Sequence, residues 1–573
     1  MNPVVDGGRR WLRSPWAAVL LAAMLLVGAA SSPWPKSILG LWPPETLRFS
    51  RELRSRHRIP PVQQAVCPQP ASAGIARAEE TGAADDGAAL TARIGRFCGD
   101  CHALPRPESY RAADWHGRIR LAYEFHARSG RVDLDPPPIA AVTRWYVERA
   151  PARLPVPARL PAAAPAAAPA VAPAVAPAAT LPAAAAPVAF RVERIASPAG
   201  GMAPGTADLR WATLATGPRL VVCDMLRGEV VAFDPRATAR AAEPLAALRH
   251  PCRVEPVVGT DGRTELLVAD LGSTDGFDHA LGQAVRLALA DDGSRWHSTS
   301  LIGGLGRVAD VQPWDDDLGP GVVVAEFGYQ RTGSLLLVRP PTVDGAGPAP
   351  RRLDERSGAI AALRTDLDGD GRRDIVALFG QEHETVTAFL DRGGGRFERR
   401  TLWRGDDLAI GSSSIDLADV DGDGDDDILL THGDAFDNRL VTPWHGVQWL
   451  ERGDGLAFEP QWLADLPGAY RARAADLDRD GDTDLVVATW LPADTDPGTL
   501  PTGPVPSLVL FEGLGGGRFA PHVLETDRHT HPALELADFD GDGDVDLAVG
   551  THAAGLGADG SRLTLWWNRS RGD

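Results

Sequence analysis

Two cysteines and a histidine have a spacing that can bind a metal or a cofactor. The stretch RFCGDCHALPRP covers residues 96–107, with Cys98 and Cys101 two residues apart and His102 directly after them. A thioredoxin-type redox pair would follow a strand in a βαβ pattern, and a structural zinc site would need a second ligand pair. Neither accompanies the motif. The pattern therefore predicts haem c, attached through thioethers to Cys98 and Cys101 and ligated by His102.

The opposite side of the haem iron would take its ligand from another segment. All four methionines lie outside this part of the chain, at positions 1, 24, 202 and 225. One apolar stripe of a helix predicted over 114–130 would face the porphyrin: Trp115, Ile119, Ala122 and His126. We predict His126 as the sixth ligand. His116 and an open or water-bound site are the alternatives.

Four segments in the second half of the chain repeat a run of aspartates. They are TDLDGDGRRDIVAL (365–378), ADVDGDGDDDILLT (418–431), ADLDRDGDTDLVVA (475–488) and ADFDGDGDVDLAVG (537–550). Oxygens at loop positions 1, 3, 5, 7 and 9 surround a hard cation such as Ca²⁺. The predicted ligands at positions 1, 3, 5 and 9 are Asp366, Asp368, Asp370, Asp374, Asp419, Asp421, Asp423, Asp427, Asp476, Asp478, Asp480, Asp484, Asp538, Asp540, Asp542 and Asp546.

These loops are predicted to join strands rather than helices. Position 12, where an EF-hand has a bidentate Glu, is apolar in all four copies. Solvated turns without a metal are the alternative. However, four carboxylates within nine residues repel one another unless a cation neutralises them, which favours calcium.

The aspartate segments belong to a longer repeat. Their first aspartates are 53, 57 and 62 residues apart, and each segment runs into an apolar strand. Four-stranded units of this length stack radially as propeller blades. Three upstream copies, at 209–234, 252–289 and 306–338, keep the strands without the aspartates. The predicted fold is therefore mainly β, a seven-bladed β-propeller with calcium-binding hairpin loops, in which the orphan strand 188–196 pairs with the last blade and closes the ring.

Both parts of the chain resemble known families. The aspartate segments are similar to the calcium loops of FG-GAP/VCBS repeat propellers, a type also found in integrin α-subunits, and the resemblance covers about residues 188–573. It implies ions that stiffen the blades. The CxxCH segment and its two predicted helices, over 114–130 and 135–151, resemble a short monohaem cytochrome c domain. In so small a unit, the haem would supply most of the core.

The predicted organisation begins with an export signal. Arg9, Arg10 and Arg13 precede an apolar run within residues 1–30, the order of a signal peptide; an uncleaved N-terminal anchor that tethers the protein to a membrane is the alternative. We therefore expect an exported protein, in the periplasm or at the cell surface. The remaining predicted regions are 31–87 irregular, 88–150 a small all-α cytochrome c-like domain, 151–187 an Ala/Pro-rich linker, and 188–573 the propeller.

The linker suggests how the two domains relate. Residues 151–187 are almost entirely Ala, Pro and Val, and their frequent prolines exclude a continuous helix and favour an extended chain. We therefore expect the haem domain to move relative to the propeller. Of the other three cysteines, Cys223 and Cys252, both in the predicted propeller, either pair or remain free thiols, and Cys67 is unpaired in both cases.

The net charge and the CxxCH motif together limit the classes of function that the sequence supports. A net charge of -19 argues against a nucleic-acid partner, which requires a basic surface. We expect an electron-transfer protein whose propeller docks a redox partner protein or another ligand of the cell envelope. A haem-linked dehydrogenase with a propeller active site, or an adhesion or scaffold propeller, are the alternatives. Residues that could line the mouth of such an active site are His279, Glu382, His383, His432 and His445.

Overall fold

In the residues that the computed structural model of the protein describes, three α-helices precede 28 β-strands. These residues are 87–99, 104–129, 131–155, 186–197, 202–237, 242–259, 261–275, 277–329, 332–340 and 348–569. The predicted signal or anchor (1–30), most of the predicted linker, and Cys67, Cys101 and His102 lie outside them. Among the described helices, none is both long and apolar enough to cross a membrane.

The strands form seven four-stranded antiparallel sheets, which are the blades of a propeller. Three blades have no aspartate loop. Blade 1 contains β2 (Thr206–Leu214), β3 (Gly217–Asp224), β4 (Glu229–Phe233) and β5 (Glu243–Ala247), and blade 2 contains β6 (Pro251–Val258), β7 (Thr264–Asp270), β8 (Gly282–Leu289) and β9 (Trp296–Leu305). Blade 3 contains β10 (Val308–Asp316), β11 (Gly319–Glu326), β12 (Ser334–Val338) and β13 (Arg351–Asp354).

The other four blades carry the aspartate loops. Blade 4 contains β14 (Ala359–Thr365), β15 (Asp374–Phe379), β16 (Thr385–Asp391) and β17 (Phe397–Arg404), and blade 5 contains β18 (Ser412–Ala418), β19 (Asp427–His432), β20 (Gly446–Arg452) and β21 (Phe458–Asp465). Blade 6 contains β22 (Ala469–Ala475), β23 (Asp484–Thr489), β24 (Pro506–Gly513) and β25 (Phe519–Thr526). Blade 7 contains β26 (Leu534–Ala537), β27 (Asp546–Gly550), β28 (Ser561–Asn568) and, as its outer strand, β1 (Phe190–Ala196).

The first strand of each blade contacts the first strand of the next, and β26 contacts β2, so the blades form a closed ring. The prediction of a seven-bladed propeller is confirmed. The burial pattern explains why the middle strands are mostly apolar. In blade 4, β15 and β16 are buried at every position, whereas most of the outer strand β17 is exposed. Middle strands lie between two neighbouring blades, so both of their faces must be apolar.

The ring closes as the sequence predicts. Strand β1 pairs antiparallel with β28, from Phe190 opposite Asn568 to Ala196 opposite Ser561. The indole Nε1 of Trp567 also donates a hydrogen bond to the Glu193 carboxylate at 3.2 Å. The first strand of the propeller is therefore the outer strand of its last blade.

The helices form a small unit ahead of the propeller: α1 (Gly87–Cys98), α2 (Trp115–Ser129) and α3 (Ile139–Arg149). Trp115 stacks on Tyr146 with 4.0 Å between the ring centroids. Trp115 Nε1 donates to the carbonyl of Pro107 at 2.9 Å, and the Tyr146 hydroxyl donates to that of Pro105 at 3.1 Å. Aromatic side chains thus pack the core of the described part of this unit.

The buried face of α2 differs from the predicted stripe at one position. Trp115 and Ile119 are buried, but Ala122 is exposed and Tyr123 is half-buried. The face that packs against the rest of the unit therefore continues in steps of four residues to Tyr123, as helical geometry favours. His126 follows three residues later and is half-buried.

Removal of β1 should open the ring. Deletion of residues 188–196 would leave β28 as an exposed, apolar edge strand, and we expect aggregation and a lower melting temperature. Size-exclusion chromatography with light scattering and thermal melts measure both. The matched control deletes nine residues, 166–174, from the Ala/Pro-rich segment and should stay monomeric. Equal stability of the two deletion variants would contradict the role of β1.

Candidate metal loops and the docked helical unit

The four aspartate loops lie on one face of the ring. Each joins the first strand of a blade to the second, as the sequence predicts, and successive blades are related by rotation about the ring axis. We call this side the acidic face. It is defined by loops 366–373, 419–426, 476–483 and 538–545.

Backbone hydrogen bonds hold each loop in a tight curve around its carboxylates. The aspartate at position 1 accepts the N–H of the glycine at position 6, at 2.9, 3.0, 3.2 and 2.9 Å for Gly371, Gly424, Gly481 and Gly543. These glycines have φ between 83° and 99°, a region that strains residues with a Cβ. The loops therefore keep their curvature through main-chain contacts.

In each loop, three carboxylates converge closely enough to hold a metal ion such as calcium. One oxygen from each member lies within 4.8 Å of the others in the groups Asp366–Asp368–Asp374, Asp419–Asp421–Asp423, Asp476–Asp478–Asp484 and Asp538–Asp540–Asp542. The remaining predicted ligands, which stand outside these groups, are Asp370, Asp427, Asp480 and Asp546.

The aspartate at position 9 has a second role that the sequence did not reveal. Asp374 is buried and accepts two backbone N–H groups, from Leu367 in its own loop (3.0 Å) and from Asp391 at the end of the third strand (2.7 Å). Burial raises the pKa of Asp374 to about 6. Asp427, Asp484 and Asp546 repeat this arrangement. These residues fasten each loop to its blade, and two of them, Asp374 and Asp484, also belong to the converging carboxylate groups.

Consecutive loops also contact one another. The Thr365 hydroxyl donates to the Asp426 carboxylate at 2.9 Å, and the Thr483 hydroxyl donates to the carbonyl of Asp419 at 2.8 Å. Arg479 reaches Asp544 of the next loop at 3.3 Å. The acidic face is thus a connected arc across blades 4 to 7.

The helical unit docks on the opposite face through one buried carboxylate. Asp407, between β17 and β18, accepts the Arg106 backbone N–H at 2.7 Å and the Ser109 hydroxyl at 2.6 Å. Its neighbour Asp406 forms an exposed ion pair with the Arg106 side chain at 3.0 Å. Burial raises the pKa of Asp407. A side chain of the propeller therefore completes the hydrogen bonding of the helical unit.

Further contacts extend this interface over blades 5 and 6. Arg111 forms an ion pair with Asp496 at 2.5 Å, and the Arg106 guanidinium lies 5.2 Å from the ring centroid of Trp444. Ala409 and Leu440 join the apolar cluster of the helical unit. The structure thus holds the unit against the propeller, in contrast to the moving haem domain that we inferred from the linker.

The structure describes part of the predicted haem motif. Cys98 is the last residue of α1, and burial raises the pKa of its thiol to about 11. Cys101 and His102 lie outside the described residues. The His126 ring contacts Phe97, the neighbour of Cys98, with 5.0 Å between the ring centroids, whereas His116 is exposed. Of the two candidate sixth ligands, His126 is the one beside the motif.

The other candidate residues are mostly structural. His432 and His445 are buried in blade 5, and burial lowers the pKa of each to about 3. His445 Nδ1 accepts the N–H of Gly468 at 3.1 Å. Cys223 and Cys252 are free thiols, one of the two alternatives left open.

Glu382, His383 and His279 lie in loops on the docking side of the ring. Glu382 accepts a hydrogen bond from the Ser357 hydroxyl at 2.7 Å and lies 3.6 Å from His383 Nε2. His279 Nδ1 accepts the N–H of Leu281 at 3.2 Å. His279 lies in blade 2, whereas Glu382 and His383 lie in blade 4, so the structure does not join these candidates and the histidines of blade 5 into one catalytic cluster.

Sequence reasoning missed the charged groups on the first strands. Arg210 lies 3.4 Å from Glu535 and 3.7 Å from Glu255, so it links blade 1 to both of its neighbours. Arg473 pairs with Asp416 of blade 5 at 2.9 Å. The signal was present as charged residues at alternate positions of these strands. Such pairs join blades at the centre of the ring.

Comparison with known proteins finds one repeat family and several solved structures of low similarity. Residues 366–430 match the FG-GAP-like repeat family. No curated protein matches the sequence. Among solved structures, a catalytically inactive virginiamycin B lyase from Staphylococcus aureus with quinupristin is 10% identical, with a TM-score of 0.41, and the match covers 66% of this chain and 99% of that one. A crystal of BBS1N in complex with ARL6DN, soaked with mercury, is 12% identical, with a TM-score of 0.38 and coverages of 65% and 96%.

Metal removal should destabilise the propeller. A ligand present at 100 times its Kd contributes about 2.7 kcal/mol per site, so a calcium chelator should lower the melting temperature by at least about 5 °C. Asp540→Ala should reduce the calcium-dependent shift. The matched control, Asp261→Ala, changes the corresponding hairpin of blade 2 and should keep the full shift. An unchanged melt with chelator would contradict metal binding.

The docking contact should depend on Asp407 and hardly on its neighbour. Asp407→Ala leaves the Ser109 hydroxyl and the Arg106 N–H without their acceptor, at a cost of about 2 kcal/mol. Amide hydrogen exchange over 104–114 should therefore accelerate about thirtyfold. Asp406→Ala removes only an exposed ion pair and should change exchange little. Equal effects of the two variants would show that Asp407 does not hold the unit in place.

Proposed function

We propose that this protein is an exported haem c electron carrier whose propeller is both the mount of the haem unit and a platform for a redox partner. The observation that carries this proposal is the CxxCH sequence at the end of α1, in a helical unit fastened to the propeller through buried Asp407. Export rests on the sequence pattern of residues 1–30. The partner is a protein of the same compartment, and the charge of the chain disfavours nucleic acid.

The described residues around Cys98 are compatible with a covalently attached haem c. Cys98 is half-buried at the end of a helix, and it packs against the same helical core as Tyr123 and Leu104. Cys98 and Cys101 would hold the haem, with His102 and His126 as ligands. Haem c supplies reversible one-electron transfer when it is bound.

The protein side chains prepare the surroundings of the motif. Phe97 packs against both Tyr123 and His126, with centroid distances of 5.2 and 5.0 Å. The Tyr123 hydroxyl donates to the carbonyl of Pro137 at 2.5 Å, which ties α2 to the segment before α3. These contacts pack the His126 ring against Phe97, the residue that precedes Cys98. Such support is what a ligand needs to hold its geometry.

Calcium is the second proposed cofactor. The carboxylate groups on the acidic face repel one another, and raised pKa values at the ninth position show the cost of burying charge there. Oxygen ligands at these spacings suit Ca²⁺. We assign it a structural role, because the ions would lie on the face opposite the helical unit and stabilise blades 4 to 7.

The haem proposal is tested by spectroscopy. The full chain, produced in a host that attaches haem to exported proteins, should show a reducible c-type haem spectrum. The His126→Ala variant should change from low-spin to high-spin and bind carbon monoxide, whereas the matched His116→Ala variant should remain low-spin. Protein without covalent haem would contradict the proposed function. A low-spin, CO-inert haem in His126→Ala would contradict only the sixth ligand.

A further inference from the structure

The outer strands of blades 3 and 4 concentrate positive charge on one sector of an acidic protein. Strands β13 and β17 read RRLD and FERRTLWR, whereas β5, β9, β21 and β25 contain no arginine and β1 contains two. The exposed members are Arg351, Arg352, Arg399, Arg400 and Arg404. All seven outer strands need protection from edge pairing. That need therefore does not explain why arginine collects on two adjacent strands.

A cavity of about 360 Å³ opens between these two strands. We call it the arginine groove, and it is lined by Arg352, Leu353, Asp354, Glu355, Arg356 and Arg399. It opens at the rim of the ring. It is therefore separate from the acidic loops and from the interface with the helical unit.

One buried carboxylate positions two of the guanidinium groups. Asp354, whose side chain is 1% exposed, accepts hydrogen bonds from Arg356 at 2.9 and 3.0 Å and from Arg399 at 3.2 Å. Arg356 also donates to the hydroxyls of Thr385 and Thr387, at 3.0 and 3.1 Å. Arg356 is thus fixed by four contacts and forms a rigid wall of the groove.

The charge of Asp354 is shared between two cations, which leaves positive charge available in the groove. The Arg399 side chain is 61% exposed, so most of its donors face solvent. Exposed Arg352 stands on the same side, and its neighbour Arg351 adds a further positive charge. Glu355 is the other carboxylate of the lining and is also exposed.

From this arrangement we propose that the arginine groove binds an oxyanion of the phosphate class. Planar guanidinium groups donate paired hydrogen bonds that match the oxygens of such an anion. Arg352 and Arg399 provide solvent-exposed donors, and the Asp354–Arg356 pair forms the rigid wall beside them. The groove is wide and open, so the phosphate can be part of a larger molecule.

Calorimetric titration of the full chain with inorganic phosphate at low ionic strength tests the site. Each of Arg352→Ala and Arg399→Ala should weaken binding about tenfold, the loss of one charge-assisted hydrogen bond. The matched control is Arg191→Ala, which removes an equally exposed arginine from the outer strand of blade 7 and should leave the affinity unchanged. The absence of phosphate binding, or the same affinity in all three variants, would overturn the proposal.

Vesicles distinguish the source of the phosphate. Arg352-dependent binding of phosphatidylglycerol vesicles, but not of phosphatidylcholine vesicles, would support the groove and identify a lipid headgroup. Binding of inorganic phosphate without vesicle binding would support the groove and identify a soluble phosphate compound. Phosphate binding and vesicle binding are both measured without reference to haem or calcium. A negative result would therefore contradict the arginine groove without contradicting the proposed function.

Discussion

Every blade in this fold must have both faces covered, and only a closed ring covers them for all seven. The middle strands are mostly buried and mostly apolar, so one gap would expose two blade faces to water. Pairing of β1 with β28 prevents that gap and removes the free edge of blade 7. It also brings the start and the end of the propeller together at one blade.

The acidic face and the centre of the ring balance their charges in different ways. On the acidic face, aspartates converge in loops whose curvature is already set by backbone hydrogen bonds, so cation binding would relieve repulsion without having to build the loop. Thr365, Thr483 and Arg479 join neighbouring loops. Cation binding that relieves carboxylate repulsion in one loop can therefore influence the loop of the next blade. At the centre, the first strands balance charge by direct ion pairs such as Arg473–Asp416.

A docked helical unit would change how the proposed electron transfer reaches a partner. A tethered domain reaches partners by diffusion, whereas a fixed one presents the same edge to every partner. Asp407 makes the docking specific, because a buried carboxylate is tolerated only where its hydrogen bonds are satisfied. The exposed Arg106–Asp406 ion pair beside it contributes less to the stability of the interface. Partner recognition would then depend on the combined surface of the helices and the ring.

The sequence by itself determined the strand repeats, the number of blades, the closing strand and the four acidic loops, because period, alternation and spacing are local properties. It also indicated a helix over 114–130, but not which side of that helix is buried at Ala122 and Tyr123. Only the tertiary structure decided the second role of Asp374, the docking at Asp407 and the sharing of Asp354 by Arg356 and Arg399. Each of these depends on groups far apart in the chain, and no local pattern records which of them meet.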